Sequence, residues 1–329
     1  MSTPVLTPMR ALPPVGRTVR AYFAPVDRVH RLPTLFDPSV SGQFSLDAPP
    51  APWIDLGWIE NFARRSSSKF GGLVTGCPGT TQYQVRETVD ANVSFRFKAW
   101  SKLSMALSAG SQHMNLIVPA TGGTANGSGS KGVAPVNLTT GSTATFLALA
   151  GADAATFSAG SLVTVDTDYT GQTGFVGSEV SAAYVSSPTA VNGDPDYIRR
   201  VSFNVARVAS VSTGTNPGLQ LAQPLIAGIP SAGMRVQPVS GFVDREGGSF
   251  FQEWSALFVI PGEQGERILF HYPRLQALSG ASENTVPLIP PLERIALSAS
   301  FRALPVTDSN DGEQVVCFRS FLPSSATLV

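Results

Sequence analysis

Apolar and polar residues alternate over Ala91–Phe97, with Val93, Phe95 and Phe97 set against Asn92, Ser94 and Arg96. Period-two alternation predicts a strand with one face in a core and the other in water. From about Lys98 the period lengthens. Trp100, Leu103 and Leu107 fall near helical spacing, beside Met105 and Ala106, while Ser101, Lys102, Ser104 and Ser108 fall mostly on other faces. Gly110 stands where a glycine ends a helix. Tyr83–Gly110 therefore predicts a strand ending near Thr88, a bend at Val89–Asp90, a second strand and an amphipathic helix over 98–109. The core-packing residues of this unit are Val93, Phe95, Phe97, Trp100, Leu103 and Leu107.

The same alternation places further strands. Trp53–Ile59 is one, and Gly57 inside it marks a bulge or a close backbone approach. Leu73–Thr75 is a short piece between Gly71-Gly72 and Gly76-Cys77-Pro78-Gly79, and Gln82–Thr88 follows. Strands are also predicted at Ser161–Tyr169, Ala182–Val185, the run through Val201, Phe203, Val205 and Val208, Leu219–Leu221 and Arg235–Val243. Phe250–Ile260 is the most apolar, and it returns through the turn Pro261–Gly265 into Arg267–Tyr272. Ile295–Leu304 and Gln314–Phe321 read as a closing hairpin. The fold class is mainly β, with one flanking α-helix.

Composition divides the chain. Residues 1–50 carry prolines at close intervals and read as an extended arm, with Tyr22, Phe23, Leu35 and Phe36 as docking anchors. Residues 51–118 and 196–325 carry the strands of a continuous β core. Residues 119–195 read as an inserted Gly/Ser/Thr-rich β subdomain or long loop. From Pro119 to Gly177 the only charged residues are Lys131, Asp153, Asp166 and Asp168, and TGGTANGSGSKG at 121–132 has linker composition.

Charge narrows the function classes. Charged residues make up only 14% of the chain, below the usual quarter, and the formal net charge is zero. Low charge suits a surface covered by partner subunits. Arg64-Arg65 and Arg199-Arg200 are isolated pairs rather than a basic stripe, so the chain does not read as one that grips DNA phosphates. Two cysteines, Cys77 and Cys317, do not make a secreted disulfide framework. The opening MSTPVLTPMRALPPVG has no apolar h-region, which predicts no secretory leader. No apolar run approaches the ~20 residues of a membrane span.

Candidate chemistry is sparse. Gly127–Gly132 matches G-x-G-x-x-G but lacks the strand before it and the helix after it that a dinucleotide site needs. Ser66–Lys69 matches S-x-x-K without a companion K-T-G. His30, His113 and His271 have no ligand-spaced partners. Asp166/Asp168 and Asp308/Asp311 miss the EF-hand spacing and read as turn residues. The expectation is no enzyme, no catalytic or cofactor-binding residue, no metal and no cofactor.

The strand Val89–Phe97, the helix Leu103–Gly110 and the earlier Trp53–Ile59 strand together resemble the strand–helix unit of phage tail tube proteins, the major tail proteins of long-tailed, siphophage-like virions. The resemblance covers Trp53–Gly110 and, as a pattern of strands and turns, Met234–Pro323. It implies a tail-tube-like β-sandwich or barrel with one flanking helix, whose strands join across copies into rings that stack into a hollow tube. It also implies a structural virion protein of the tail, assembled in the host cytoplasm. Its partners would be itself and other tail proteins, and DNA would pass through the lumen during ejection without sequence-specific binding. The chain is longer than the simplest tube proteins by its arm and its 119–195 insertion. Hexameric rings, and trimeric rings of two fused folds, are therefore both open. The other class that suits a β-rich Ser/Thr/Gly chain is an adhesin or carbohydrate-binding fibre protein, which would stop at a small closed oligomer.

Overall fold

A computed structural model describes residues 18–26, 32–42, 44–110, 112–122, 131–168, 174–178, 204–246, 252–278, 282–287 and 292–324. The chain begins with β1 (Val19–Pro25), α1 (Pro38–Ser41), β2 (Ile54–Thr75), β3 (Thr80–Phe97) and α2 (Lys102–Ala109). It continues through β4 (Gln112–Ile117), β5 (Val136–Asn137), β6 (Phe146–Ala148), α3 (Gly151–Ala154), β7 (Leu162–Asp166), β8 (Val205–Ser212), β9 (Gly218–Leu221) and β10 (Arg235–Arg245). It ends with β11 (Glu253–Pro261), β12 (Arg267–Ala277), β13 (Ser282–Pro287), β14 (Glu293–Leu304), β15 (Val306–Thr307), β16 (Gln314–Val315) and β17 (Phe318–Leu322). The fold is mainly β, in large antiparallel sheets. It forms two compact units, one of residues 1–26, 33–110 and 251–329, the other of residues 27–32 and 111–250.

The first unit is a closed barrel. Its strands run β14-β3-β2-β1-β11-β12, and β12 pairs back onto β14 at Arg274–Ala277. Closure removes the sheet edges along this ring. Aromatic rings fill the interior. Phe23 of β1 lies 6.1 Å from Phe95 of β3, 6.0 Å from Phe258 of β11 and 5.6 Å from Phe301 of β14, centroid to centroid. Phe23 has no exposed surface.

β1 corrects the extended-arm expectation. Val19–Pro25 is a central barrel strand of its own chain, paired with β2 on one side and β11 on the other. Phe23 faces the interior rings, and Tyr22 packs on the outer face with Leu257, Val259 and Leu269. The prolines around this run mask a strand that is apolar on both faces. Residues 33–42 and 44–46 then cross that outer face as a strap, adding Phe36, Phe44 and Leu46 to the cluster. Leu35, expected as an anchor, is instead 62% exposed, because the strap turns Phe36 inward and Leu35 outward.

Backbone groups of the strap are held by side chains of the barrel. The Tyr22 hydroxyl donates to the Leu46 carbonyl at 2.7 Å, and Arg267 donates to the carbonyls of Gly42 and Phe44. His271 Nε2 donates to the Thr34 carbonyl at 3.3 Å, while its ring sits among Phe36, Trp53 and Phe318. Its other nitrogen, Nδ1, is buried without a partner. Burial pushes His271 from 6.5 down to about 4, against the weaker pull of the Thr34 carbonyl. Between those two values the unfolded chain binds a proton that the folded chain refuses. Stability is therefore complete above pH 6.5 and falls as the pH drops towards 4, by roughly 3 kcal/mol for a shift of this size. Unfolding free energies of wild type and His271→Gln at pH 7.5 and 4.5 check this. The wild type should lose more on acidification than the variant, and equal losses would contradict the assignment.

The helix begins later than its periodicity suggests. Ser101 is the N-cap, and its side chain accepts from the Ser104 backbone N–H while Ser104 reaches back to the Ser101 backbone N–H. That closed cap excludes Lys98–Trp100 from the helix, and Trp100 is 47% exposed rather than core-packed. Gly110 ends the helix in the left-handed region at φ 62°. A side chain there would also strike the Ala277 Cβ. Ala106 and Leu107 are fully buried, and the Ser108 hydroxyl donates to the Ser298 carbonyl of β14.

The second unit is larger than the expected 119–195 insertion. Its sheet runs β4-β10-β7-β8-β9-β6, with β5 paired onto β10. Val163, Val165, Leu147, Leu219 and Val236 form its core. β8, β9 and β10, expected in the main core, belong here because β10 pairs with β7 and β4. The expected strand Ala182–Val185 lies outside the described residues. The expected closing hairpin is also corrected. β14 pairs with β3, β13 and β12, whereas β17 pairs with β12, prolonging the line of β14 beyond Leu304.

Candidate functional site: a projecting hairpin

β2 and β3 are far longer than the barrel they help to close. β1 accompanies β2 only as far as Val19↔Ile59, and β14 accompanies β3 only as far as Arg302↔Asn92. Beyond those points, among the described residues, β2 and β3 pair only with each other, through Ser66↔Ala91 to Thr75↔Thr80. At about 3.3 Å per residue, Ser66–Thr75 carries the hairpin roughly 30 Å from the barrel. The expected Val89–Asp90 bend does not occur. Leu73–Thr75 and Gln82–Thr88 are parts of these two continuous strands.

The point of departure is built. The register slips between Glu60 and Ala63, and Asn61 takes φ 52°, a conformation asparagine tolerates better than most residues. Arg64 Nε donates to the Tyr272 hydroxyl at 3.1 Å, and its guanidinium lies 4.9 Å from the Phe270 ring centre. Burial pushes Tyr272 up to about 12 against the opposing Arg64, and burial also raises the Cys317 thiol nearby. All three groups hold their ordinary charge at neutral pH, so this cluster anchors the hairpin root. Glu60 pairs with Arg294 at 3.0 Å and Asp90 with Arg302 at 3.4 Å on the neighbouring strand.

The hairpin carries apolar side chains into solvent on both faces. Leu73 and Tyr83 stand opposite each other, with Val85 one pair further down on the same face. They are 58%, 71% and 66% exposed. Phe70 lies on the other face, beneath Arg86 at 5.6 Å. An isolated two-stranded ribbon is marginal in water, and its outer N–H and C=O groups form a template for another strand. The clue in the sequence was two β-forming runs flanking Gly76-Cys77-Pro78-Gly79, a hairpin signal obscured by the interior glycines Gly71 and Gly72.

The sequence-predicted residues fall as follows. Val93, Phe95, Phe97, Leu103 and Leu107 are buried in the barrel unit, as are Tyr22, Phe23 and Phe36. Ser66–Lys69 runs along the hairpin, where Lys69 pairs with Glu87 at 3.1 Å. His113 and His271 are buried, in different units, and His30 and most of the Gly127–Gly132 motif lie outside the described residues. Asp168 pairs with Arg235 at 2.5 Å. Asp308 and Asp311 accept backbone N–H groups of their own turn, from Asn310 and Glu313. Among the described residues no group of His, Cys, Asp and Glu is arranged to hold a metal ion, and no helix is long and apolar enough to cross a membrane. Cys77, at the hairpin turn, and Cys317 are both free thiols. The chain matches no protein-family model and none of the curated proteins.

Proposed function

We propose that this chain is a structural subunit of a phage-like tail tube, which associates with copies of itself into stacked rings around a conduit for DNA. The observation that carries the reading is the β2–β3 hairpin, a long ribbon whose outer edges are unpaired among the described residues and which carries apolar side chains on both faces. A closed barrel, one capped helix beside it and a projecting hairpin suit a ring-forming subunit. The barrel supplies rigidity, and the hairpin supplies strand edges and apolar area for a neighbouring copy. The low charge and the absence of a basic stripe suit a conduit that lets DNA slide, since strong phosphate contacts would hold it.

Sedimentation velocity over a hundred-fold range of loading concentration tests the reading. Mass should rise with concentration, without a plateau at a small oligomer. A single-copy species throughout would overturn self-assembly, and a small closed oligomer would favour the fibre or adhesin class.

A further inference from the structure

The register of β14 sets two exposed ribbons at opposite ends of the barrel. Its middle, Ser298–Arg302, lies beside Arg96–Asn92 of β3. Past Asn92 the β2–β3 hairpin leaves the barrel at one end. Past Arg96, at the other end, β14 is joined by β13, from Ser298↔Ser282 to Glu293↔Pro287. β13 terminates the order of its sheet, so its outer edge is open among the described residues.

The β13–β14 ribbon has a face that complements the hairpin. Pairing places Glu283, Thr285, Ile295 and Glu293 on one side of it. Ile295 is 56% exposed, and Leu292 and Leu278 are exposed at its margins. Arg294 on the opposite side is neutralised by Glu60, which leaves Glu283 and Glu293 as surplus negative charge. The hairpin has the opposite surplus. Lys69 and Glu87 neutralise each other, which leaves Arg86 beside Phe70 and Arg65 at the hairpin root, opposite Asn92. Each ribbon thus offers apolar side chains beside charge of one sign, and the signs are opposite.

We propose that the β2–β3 hairpin of one copy docks on the β13–β14 ribbon at the far end of the barrel of a second copy. This rests on the reading that copies of the chain associate with each other, and it adds which surface receives the hairpin. The two surfaces differ, so the contact is heterologous. A docked pair still has one open ribbon on one copy and one open hairpin on the other, so growth continues along one line. A hairpin-to-hairpin contact would instead close at a pair. It would also bring the Arg65 and Arg86 of two copies together.

Two variants test this by sedimentation, with circular dichroism confirming the fold. In one, Ser68–Val89 is replaced by an Asn-Gly turn. The other carries Glu283→Lys, Ile295→Lys and Glu293→Lys. Wild type should form long assemblies, and each variant alone should stay as single copies. An equimolar mixture should form 1:1 pairs and nothing larger, because only one hairpin and one ribbon remain intact. A charge-swapped chain with Glu283→Lys, Glu293→Lys, Arg65→Glu and Arg86→Glu should regain assembly. Overturning results are a ribbon variant that assembles like wild type, or a mixture that stays as single copies. A wild type that never associates would defeat the tube-subunit reading itself, which separates the two failures.

Discussion

Leu103→Asp is expected to give a chain that does not fold as a barrel. Leu103 sits on α2 with 7% of its surface exposed, on a helix held at both ends by its capping box and by Gly110. Its neighbours Ala106 and Leu107 are also buried. A carboxylate placed there loses its water in a buried apolar setting. An unpaired buried charge costs about 3–5 kcal/mol, comparable with the whole stability of a modest domain. Leu103→Met keeps the volume and the apolar character and should cost less than about 1.5 kcal/mol. Circular dichroism and urea midpoints of the pair distinguish the outcomes. A Leu103→Asp protein with a wild-type midpoint would show that α2 contributes nothing to the core.

The position of α2 also shows what was legible in the chain. Val93, Phe95 and Phe97, with Leu103 and Leu107 after them, were readable because strand and helix periods are local properties of a few residues. Gly110 was readable because a helix C-terminus favours the left-handed backbone that glycine adopts without strain. The exposure of Trp100 was not, since Ser101 and Ser104 close the cap ahead of the apolar period. β1 was hidden for a different reason. Val19–Pro25 is buried on both faces, so it shows no alternation, and prolines on either side suggest extended chain. The division into two units depends on β10 pairing with β7 and β4, contacts that no local pattern reports. The hairpin was visible only as fragments. Gly71 and Gly72 interrupt β2, and side chains exposed on both faces blur the inside–outside alternation that marks a buried strand.

Removing that hairpin has the second large expected effect. With Ser68–Val89 replaced by an Asn-Gly turn, Ser67 and Asp90 still face each other as a tight hairpin. The barrel interior is untouched, because the rings of Phe23, Phe95, Phe258 and Phe301 all lie on the barrel side of the deletion. The exposed Lys69–Glu87 pair is lost, which matters by no more than about 1 kcal/mol. The truncated chain should therefore unfold near the wild-type midpoint and yet lose all assembly. A truncation that lowers the midpoint sharply would make the hairpin part of the fold rather than a means of association.

We propose that this chain builds a tube through its projecting hairpin. Negative-stain electron microscopy of concentrated wild type beside the truncated chain tests it most directly. Hollow, ring-striated tubes are expected from the wild type and dispersed single particles from the truncation. Dispersed single particles from both, or tubes from both, would contradict it.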